Sequence, residues 1–398
     1  MKKETLYLPN LNGVRAIAAL MVIIFHIELI KSEWGFRNDY LILNLGGDKG
    51  VTLFFVLSGF LITYLLLKEE QITSKISLKN FYFRRILRIW PLYFFIVLSS
   101  LFILPHISFL YEPPYHHPYI KSRIIIVILY LLFCGNVLTA LYSHVNFVRP
   151  TWSVSVEEQF YLIWPILLKF SKNKLKSIKN VFILYWTLRL ISGFLNSDFF
   201  HQHMGNYNFF SILDSVIFQT PFDSLSIGGI AAYITWSNKT FILNFLYNKV
   251  TQHIIFISLP LLLYLIQFHA QVQLFSRDIQ CDNLIFSLIF AAAIINLAGN
   301  QNVIISLENK ILYHLGKISY GLYMYHWIAI VAVINLIKQF DILKENILIF
   351  NIVLYTASFG LVILISHMSF TYFEYKFIVL KSKFSMITSG DLVKKIKN

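Results

Sequence analysis

Long apolar stretches separated by short polar connections run along the whole chain. Each stretch holds about 17–25 mainly apolar residues, the length that a helix needs to cross a bilayer. The candidates lie at residues 11–30, 49–67, 87–105, 124–142, 154–170, 178–195, 213–236, 252–268, 282–298, 318–337 and 347–372. This pattern predicts an all-α, polytopic membrane helical bundle.

Basic connections predict the orientation of these helices. Lysines and arginines are concentrated between the second and third stretches (Lys68, Lys75, Lys79, Arg84, Arg85 and Arg88) and after the fifth (Lys169, Lys172, Lys174, Lys176 and Lys179). The positive-inside rule places both connections in the cytoplasm. Alternation allows this only if residues 124–142 do not cross, and Gly135 and Asn136 interrupt that stretch. We therefore expect a re-entrant or interfacial hairpin there, about ten transmembrane helices, and cytoplasmic N- and C-termini.

Composition agrees with a membrane protein. Hydrophobic residues make up 57% of the 398 residues, charged residues 14%, and the mean hydropathy is +0.63. The formal net charge of +14 is concentrated in short connections, which indicates topology rather than nucleic-acid binding. Cys134 and Cys281 lack metal-ligand spacing. The first apolar stretch lacks a signal-peptide cleavage site, so we expect it to remain as the first span.

Arg15 and His26 both lie within the first apolar stretch. Their spacing brings them to within roughly 20° of the same helix face, about 16 Å apart along the axis. Because ionisable side chains are expensive in hydrocarbon, the pair predicts a functional cavity reached at two depths. The alternative is an arginine that extends to the membrane surface and a histidine bonded to a neighbouring helix.

Arg84, Arg85 and Arg88 open the third helix in FYFRRILRIWPLY. Arginine forks match phosphate oxygens, so the group is a candidate phosphate site on the cytoplasmic side. A solvated positive-inside flank explains the same residues without a ligand.

The segment PTWSVSVEEQFYLIWP places two acids at the start of another membrane helix. Ser153 and Glu157 share a face, and Glu158 lies about 100° away. One carboxylate could orient His26 or bind a substrate, whereas both could simply stabilise the helix N-terminus.

Further polar groups lie in other spans. Asp223 is an acid within an apolar stretch, and GKISYGLYMYHW places Tyr323 and His326 on one helical stripe, a pattern also common in cores. Ser58 and Gly59 suit close helix packing.

Taken in order, these motifs resemble the acyltransferase 3 family of integral membrane acyltransferases. The resemblance runs from about residue 8 to residue 376 and is carried by NGVRAIAALMVIIFH, GVTLFFVLSGFLI, RRILRIWPLY, TWSVSVEEQFYL and GKISYGLYMYHW. It implies transfer of an acyl group, acetyl being the expected one, from acyl-CoA to a hydroxyl of a cell-surface or lipid-linked carbohydrate.

The resemblance also implies roles for particular residues. His26 would be the base or a transient acyl carrier, with Arg15 and Glu157 as the other catalytic residues. Arg84, Arg85 and Arg88 would hold the nucleotide phosphates of the donor. Substrate-binding residues would be Ser153, Glu158, Asp223, Tyr323 and His326, while the choice between Glu157 and Glu158 for orienting His26 stays open. Members often carry an arginine where this chain has Pro221, so the role of that arginine does not carry over to this chain.

The expected organisation is one membrane domain over residues 1–398 with a core at 8–376, a basic cytoplasmic tail at 377–398, and no soluble hydrolase-like domain. The expected partners are membrane lipid and a carbohydrate acceptor (an exopolysaccharide, O-antigen, peptidoglycan or glycolipid) but no nucleic acid. Acyl-CoA would be a co-substrate, with no metal and no permanently bound cofactor. The loop 105–123 is expected outside the cell membrane, where its aromatic residues could contact a sugar or form an interfacial belt.

Two other functions compete with this interpretation. A transporter or flippase for a sugar-linked or anionic substrate would also place charges near the membrane midplane, but we see no internal repeat in the sequence. A non-catalytic scaffold would use the same polar groups only to hold helices together.

Overall fold

The computed structural model describes residues 4–36, 46–112, 123–142, 145–197, 208–268, 282–340, 346–385 and 387–389. Their α-helices are α1 (Leu11–Glu33), α2 (Gly47–Thr73), α3 (Leu78–Phe102), α4 (Arg123–Leu131), α5 (Gly135–Tyr142), α6 (Trp152–Phe170), α7 (Lys174–Leu195), α8 (Asn208–Phe218), α9 (Phe222–Trp236), α10 (Thr240–Tyr247), α11 (Lys249–Phe268), α12 (Asp282–Gly299), α13 (Lys310–Lys317), α14 (Ser319–Ile337), α15 (Ile347–Met368) and α16 (Tyr375–Lys381). Short 3₁₀ turns lie at Leu104–His106, Ser108–Leu110, Arg149–Thr151 and Ser382–Phe384, and Ser369–Glu374 is π-helical. In these ranges the strands are Glu4–Leu6 and Ile387–Ser389, which pair in parallel.

The long helices confirm the predicted all-α polytopic bundle. In the described part of the chain, seven helical segments are long and apolar enough to cross a membrane, and they contain α1, α2, α3, α7, α12, α14 and α15. The other three predicted crossings correspond to α6, α9 and α11, which are shorter or carry more polar residues.

Residues 124–142 form two short helices rather than one span, as predicted. At about 1.5 Å per residue, α4 and α5 are each less than half the thickness of a ~30 Å hydrocarbon core. The break falls at Phe133, which has a positive φ of 53°. The side chain of Gln159 on α6 donates to the Phe133 carbonyl at 2.8 Å, and the Ser155 hydroxyl accepts from the Gly135 amide at 3.1 Å. Because α6 satisfies these backbone groups, the chain can turn there without water.

The predicted single span at 213–236 is wrong. The structure divides it into α8 and α9 at Thr220 and Pro221. Proline lacks the amide hydrogen that a continuous helix needs, and it disfavours helical geometry in the residue before it. The Thr220 hydroxyl bonds the Val216 carbonyl and accepts from Asn136 of α5, which fixes the corner.

Glycines allow α2 and α9 to touch. A Cβ on Gly59 would lie 1.9 Å from the Leu225 carbonyl oxygen, and a Cβ on Gly228 would lie 2.0 Å from the Val56 carbonyl oxygen. Both distances are too short for any side chain. The packing role predicted for Gly59 is therefore confirmed.

The two lysine-rich connections lie at the same end of the bundle. Lys174, at the start of α7, forms an ion pair with Glu70 of α2 at 2.9 Å. The paired strands bring the N-terminal and C-terminal segments together, and Arg84 of α3 donates to the Phe384 carbonyl at 2.9 Å. We call this end of the bundle the basic face. It carries the connection 74–77 between α2 and α3 and the connection 171–173 between α6 and α7.

Candidate active site

A cavity of about 280 Å³ lies at the basic face, in the centre of the bundle. Residues of α1, α2, α3, α6, α13, α14 and α16 form its walls. Tyr7 and Ser385, which belong to the two terminal segments of the chain, line one part of the cavity. The buried side chains of Ser153 and Tyr323 line another part, which we call its deep end.

Positive charge dominates the cavity. Arginines and lysines from four helices line it, namely Arg15, Arg85, Arg88, Lys317 and Lys381. Glu157 is the only carboxylate among the described residues that line it. Such an excess of cations in a partly enclosed space favours a polyanionic ligand.

Arg85 and Glu157 form the centre of the polar wall. Glu157 accepts hydrogen bonds from Ser58 at 2.5 Å and from Tyr161 at 2.9 Å. The Arg85 guanidinium lies over the Tyr161 ring at 5.3 Å, and its buried Nε has no hydrogen-bond partner among the described residues. An unpartnered buried donor is expensive, so a ligand acceptor beside Arg85 would be stabilising.

Arg84 is not part of this wall. It forms an ion pair with Glu69 at 2.7 Å and also donates to the Phe384 carbonyl, and the cavity lining does not include it. Arg84 and Arg88 are four residues apart and share one helix face, but the ion pair with Glu69 holds the Arg84 side chain away from the cavity. Arg85 and Arg88 line the cavity.

The two adjacent glutamates face different neighbours. Glu157 lines the cavity, whereas Glu158 accepts from the Trp90 indole at 2.9 Å and does not line it. Their separation around the helix, predicted at about 100°, accounts for this difference.

Ser153 and Tyr323 form the deep end of the cavity. Their oxygens lie 2.6 Å apart, and the Tyr323 hydroxyl donates to the Pro150 carbonyl at 2.8 Å. The Ser153 hydroxyl also lies 3.3 Å from that carbonyl oxygen, and either hydroxyl can donate to the other. Both predicted substrate-binding residues therefore reach the cavity, but Asp223 does not. Asp223 lies in the first turn of α9, where it interacts electrostatically with Arg189.

His26 lies beyond this deep end. Its Nδ1 is 2.9 Å from Nε2 of the fully buried His326, whose ring centroid is 5.7 Å from that of Tyr323. The cavity lining contains Arg15 but not His26, so the structure separates two side chains that the sequence places on one face of α1. Helical periodicity gives the angle between Arg15 and His26 around α1. It does not show that His326 of α14 packs against His26.

His26 also contacts Trp327, which in turn contacts Arg149 and Glu112. The Trp327 ring lies 5.1 Å from the His26 ring, and the Arg149 guanidinium lies 5.1 Å from the Trp327 ring. Glu112 accepts from the Trp327 indole and from the Phe147 amide, each at 3.1 Å. Burial raises the pKa of Glu112 to about 7. Residues 113–122 of the predicted outer loop lie outside the described residues.

Sequence reasoning missed Lys317 and Lys381. Lys317 precedes the stripe of Tyr323 by less than two turns, which was an available signal. Lys381 belongs to the predicted tail, and only the return of α16 against α3 brings it to the cavity. In the described ranges, no three His, Cys, Asp or Glu side chains could hold a metal ion.

The fold and the cavity define a multi-pass helical membrane protein with a basic central cavity and a pair of bonded imidazoles, His26 and the buried His326. The chain belongs to the acyltransferase 3 family, because the sequence model of that family, described as an acyltransferase domain, matches residues 8–368.

Several relatives carry names that state an activity. The chain is 27% identical over 393 residues to proteins of Staphylococcus aureus strains COL and N315 that are named provisionally as O-acetyltransferases; the match covers 94% of this chain and 58% of each relative. It is 32% identical over 190 residues to the O-acetyltransferase OatA of strain NCTC 8325, covering 47% of this chain and 28% of that protein. The chain thus spans a little over half the length of the first of these relatives. No solved structure matches it.

Proposed function

We propose that this chain transfers an acyl group, acetyl being the expected one, from cytoplasmic acyl-CoA to a hydroxyl of a cell-envelope carbohydrate. The observation that carries the proposal is a cavity lined by five cationic side chains whose deep end leads through Tyr323 and His326 to His26. The names of the O-acetyltransferase relatives support the same reaction class.

The donor site would be the basic cavity. The nucleotide end of acyl-CoA carries several phosphates, which arginine binds through paired hydrogen bonds and lysine as a point charge. Arg85, Arg88, Lys317 and Lys381 are the residues we assign to the phosphates. Arg15 interacts electrostatically with Glu157 of the polar wall and would contact the part of the donor that leads to the thioester. The acyl end would then point toward Ser153 and Tyr323.

The chemistry needs a base beside the acyl group. His26 would take the proton from the acceptor hydroxyl while the hydroxyl oxygen attacks the thioester carbonyl. Collapse of the tetrahedral intermediate would break the carbon–sulfur bond, and the CoA sulfur would leave with the proton from His26. In the alternative route, Nε2 of His26 would attack the thioester carbonyl and the carbon–sulfur bond would break, releasing the CoA thiolate. The acceptor hydroxyl would then attack the acyl-imidazole, the carbon–nitrogen bond would break, and the hydroxyl proton would pass to the CoA thiolate.

The acceptor would approach from the side opposite to the basic face. Arg149, which pairs with Glu33 at 2.7 Å and lies 5.1 Å from the buried Trp327 ring, places polar groups on that side of His26. A polar hydroxyl-rich ligand such as a glycan suits this combination. The acceptor itself could be an exopolysaccharide, O-antigen, peptidoglycan or glycolipid.

We place the protein in the cell membrane with the basic face in the cytoplasm. The lysine-rich connections and both terminal segments at that face support this orientation. A cysteine introduced at Lys172 should react with a membrane-impermeant maleimide only after the cytoplasmic side is exposed. Labelling from the outside would reverse the orientation and remove the argument for a cytoplasmic donor.

The direct test is glycan acylation in cells. The chain would be expressed in a host strain lacking its own surface O-acetylation, and the glycans analysed by mass spectrometry. We expect acetyl groups with the wild-type chain and none with His26→Gln at equal protein level. Unmodified glycans together with transport of a sugar-linked substrate in proteoliposomes would favour a transporter instead.

A further inference from the structure

Two histidines from different helices bond directly to each other inside the bundle. His26 is on α1 and His326 is on α14, and their bonded nitrogens, Nδ1 and Nε2, are 2.9 Å apart. The other nitrogen of His326, Nδ1, lies 2.6 Å from the backbone carbonyl oxygen of Tyr323. The chain of contacts therefore ends on a group that can only accept a hydrogen bond.

That carbonyl fixes where the hydrogens are. Nδ1 of His326 must carry a hydrogen to donate to the Tyr323 oxygen, so Nε2 of a neutral His326 has the lone pair. Nε2 then accepts from Nδ1–H of His26. As a result, Nε2 of His26 carries the lone pair of that ring and is its basic atom.

The surroundings favour the neutral form of His326. Its side chain is 0% exposed, and its neighbours on α14, Leu322 and Trp327, belong to a buried apolar cluster that also contains residues of α1 and α15. Burying a second positive charge there would be expensive. The rings of Phe25 and Trp327 make T-shaped contacts with the His26 ring at centroid distances of 5.2 and 5.1 Å, so its orientation is restrained as well.

We infer that His326 is the positioning residue of His26, holding it as the tautomer whose Nε2 accepts a proton or an acyl group. The sequence suggested a glutamate for this task, but Glu157 bonds Ser58 and Tyr161, and Glu158 bonds Trp90. This inference rests on the proposed function only in so far as His26 is the base.

The first test reads the tautomer without any substrate. The protein would be labelled with ¹⁵N-histidine in nanodiscs, and a His26→Gln sample would identify the His26 signals. We expect a protonated-type Nδ1 and an unprotonated Nε2 in the wild type and in His326→Gln, whose amide oxygen can accept the same hydrogen bond. His326→Leu should give a mixture of tautomers. A wild-type His26 protonated at Nε2 would overturn the inference, whether or not the protein transfers acyl groups.

The second test separates positioning from packing. His326→Leu should lower kcat by ~10² or more with little change in KM for the donor, as loss of the correct tautomer does in other enzymes. His326→Gln should stay within about tenfold of the wild type, since it keeps a neutral hydrogen bond. Equal loss in both variants, with both folded by size-exclusion chromatography, would contradict a positioning role.

A matched control is available in the same chain. His314 and His367 form a second pair of imidazoles with ring centroids 5.2 Å apart, but both are exposed. His314→Leu makes the same chemical change as His326→Leu and should leave kcat and the His26 signals unchanged. A matching loss of kcat in His314→Leu would mean that the effect does not come from the His26 contact.

Discussion

Lys31 and Arg15 are cations on the same helix, α1, but their surroundings differ. Lys31 is 0% exposed and forms an ion pair with Glu28 at 2.7 Å, while Tyr355 of α15 also donates to Glu28. Arg15 lines a cavity in which cations outnumber carboxylates. A buried cation with its own carboxylate joins helices, whereas one in a basic cavity is suited to an anionic ligand.

The same contrast occurs within one turn of α3. Arg84 is paired with Glu69, but Arg88 lines the cavity and forms no ion pair within 4.0 Å among the described residues. Positive charge by itself therefore does not define the site. Among the described residues, what distinguishes the cavity is that five cations share one lining carboxylate, Glu157, and this can be tested by removing charges from each region in turn.

The largest effect on stability is expected at the buried ion pair. Glu28→Ala would leave Lys31 as an uncompensated buried charge, which typically costs about 3–5 kcal/mol. The yield of folded protein and its thermal unfolding in detergent would measure this. Glu28→Leu combined with Lys31→Met should recover most of the loss, because apolar side chains of similar size replace the pair. If the double variant is as unstable as Glu28→Ala, the charges are not what joins α1 to α15.

The next effect separates the arginines of α3. Arg85→Ala with Arg88→Ala should weaken acetyl-CoA binding by roughly 10–100-fold per residue, since a hydrogen bond to a charged group contributes about 1.5–3 kcal/mol. Isothermal titration calorimetry in nanodiscs would measure the Kd. Arg84→Ala is the matched control and should leave the Kd unchanged while lowering the melting temperature. A Kd that responds to Arg84 and not to Arg88 would reverse the assignment.

The smallest effect is a pH dependence at Glu112. Burial raises the pKa of this carboxyl in the folded protein from 4.5 to about 7, so between these values the folded state holds more protons than the unfolded state. Stability should therefore fall as the pH rises through that window. Melting curves from about pH 5 to about pH 8 should show a smaller decline for Glu112→Gln than for the wild type. An identical slope in both proteins would show that Glu112 does not titrate there.

Much of the fold could be predicted because apolar length and charge are local properties of the sequence. The helical spans other than 213–236, the hairpin at 124–142 and the common face of the lysine-rich connections follow from them. The break at Pro221 was overlooked, although the proline itself was the signal. The return of Lys381 to the cavity depends on how distant helices pack, which no local pattern encodes.

The sequence predicted which residues belong to the candidate site better than it predicted how they are arranged. Arg15, Arg85, Glu157 and Tyr323 reach the cavity because helical periodicity places polar groups on inward faces. Periodicity could not show that His326 rather than a glutamate meets His26. That contact joins residues 300 positions apart, and only the packed structure reveals it.

The central claim is that donor binding and chemistry occupy two connected places, the basic cavity and His26. It is tested most directly by measuring acetyl-CoA binding and acyl transfer on the same purified His26→Ala protein in nanodiscs. The account predicts a donor Kd like that of the wild type together with a loss of transfer of ~10²–10⁴, as expected for removal of a general base. Ordinary transfer by His26→Ala would contradict it.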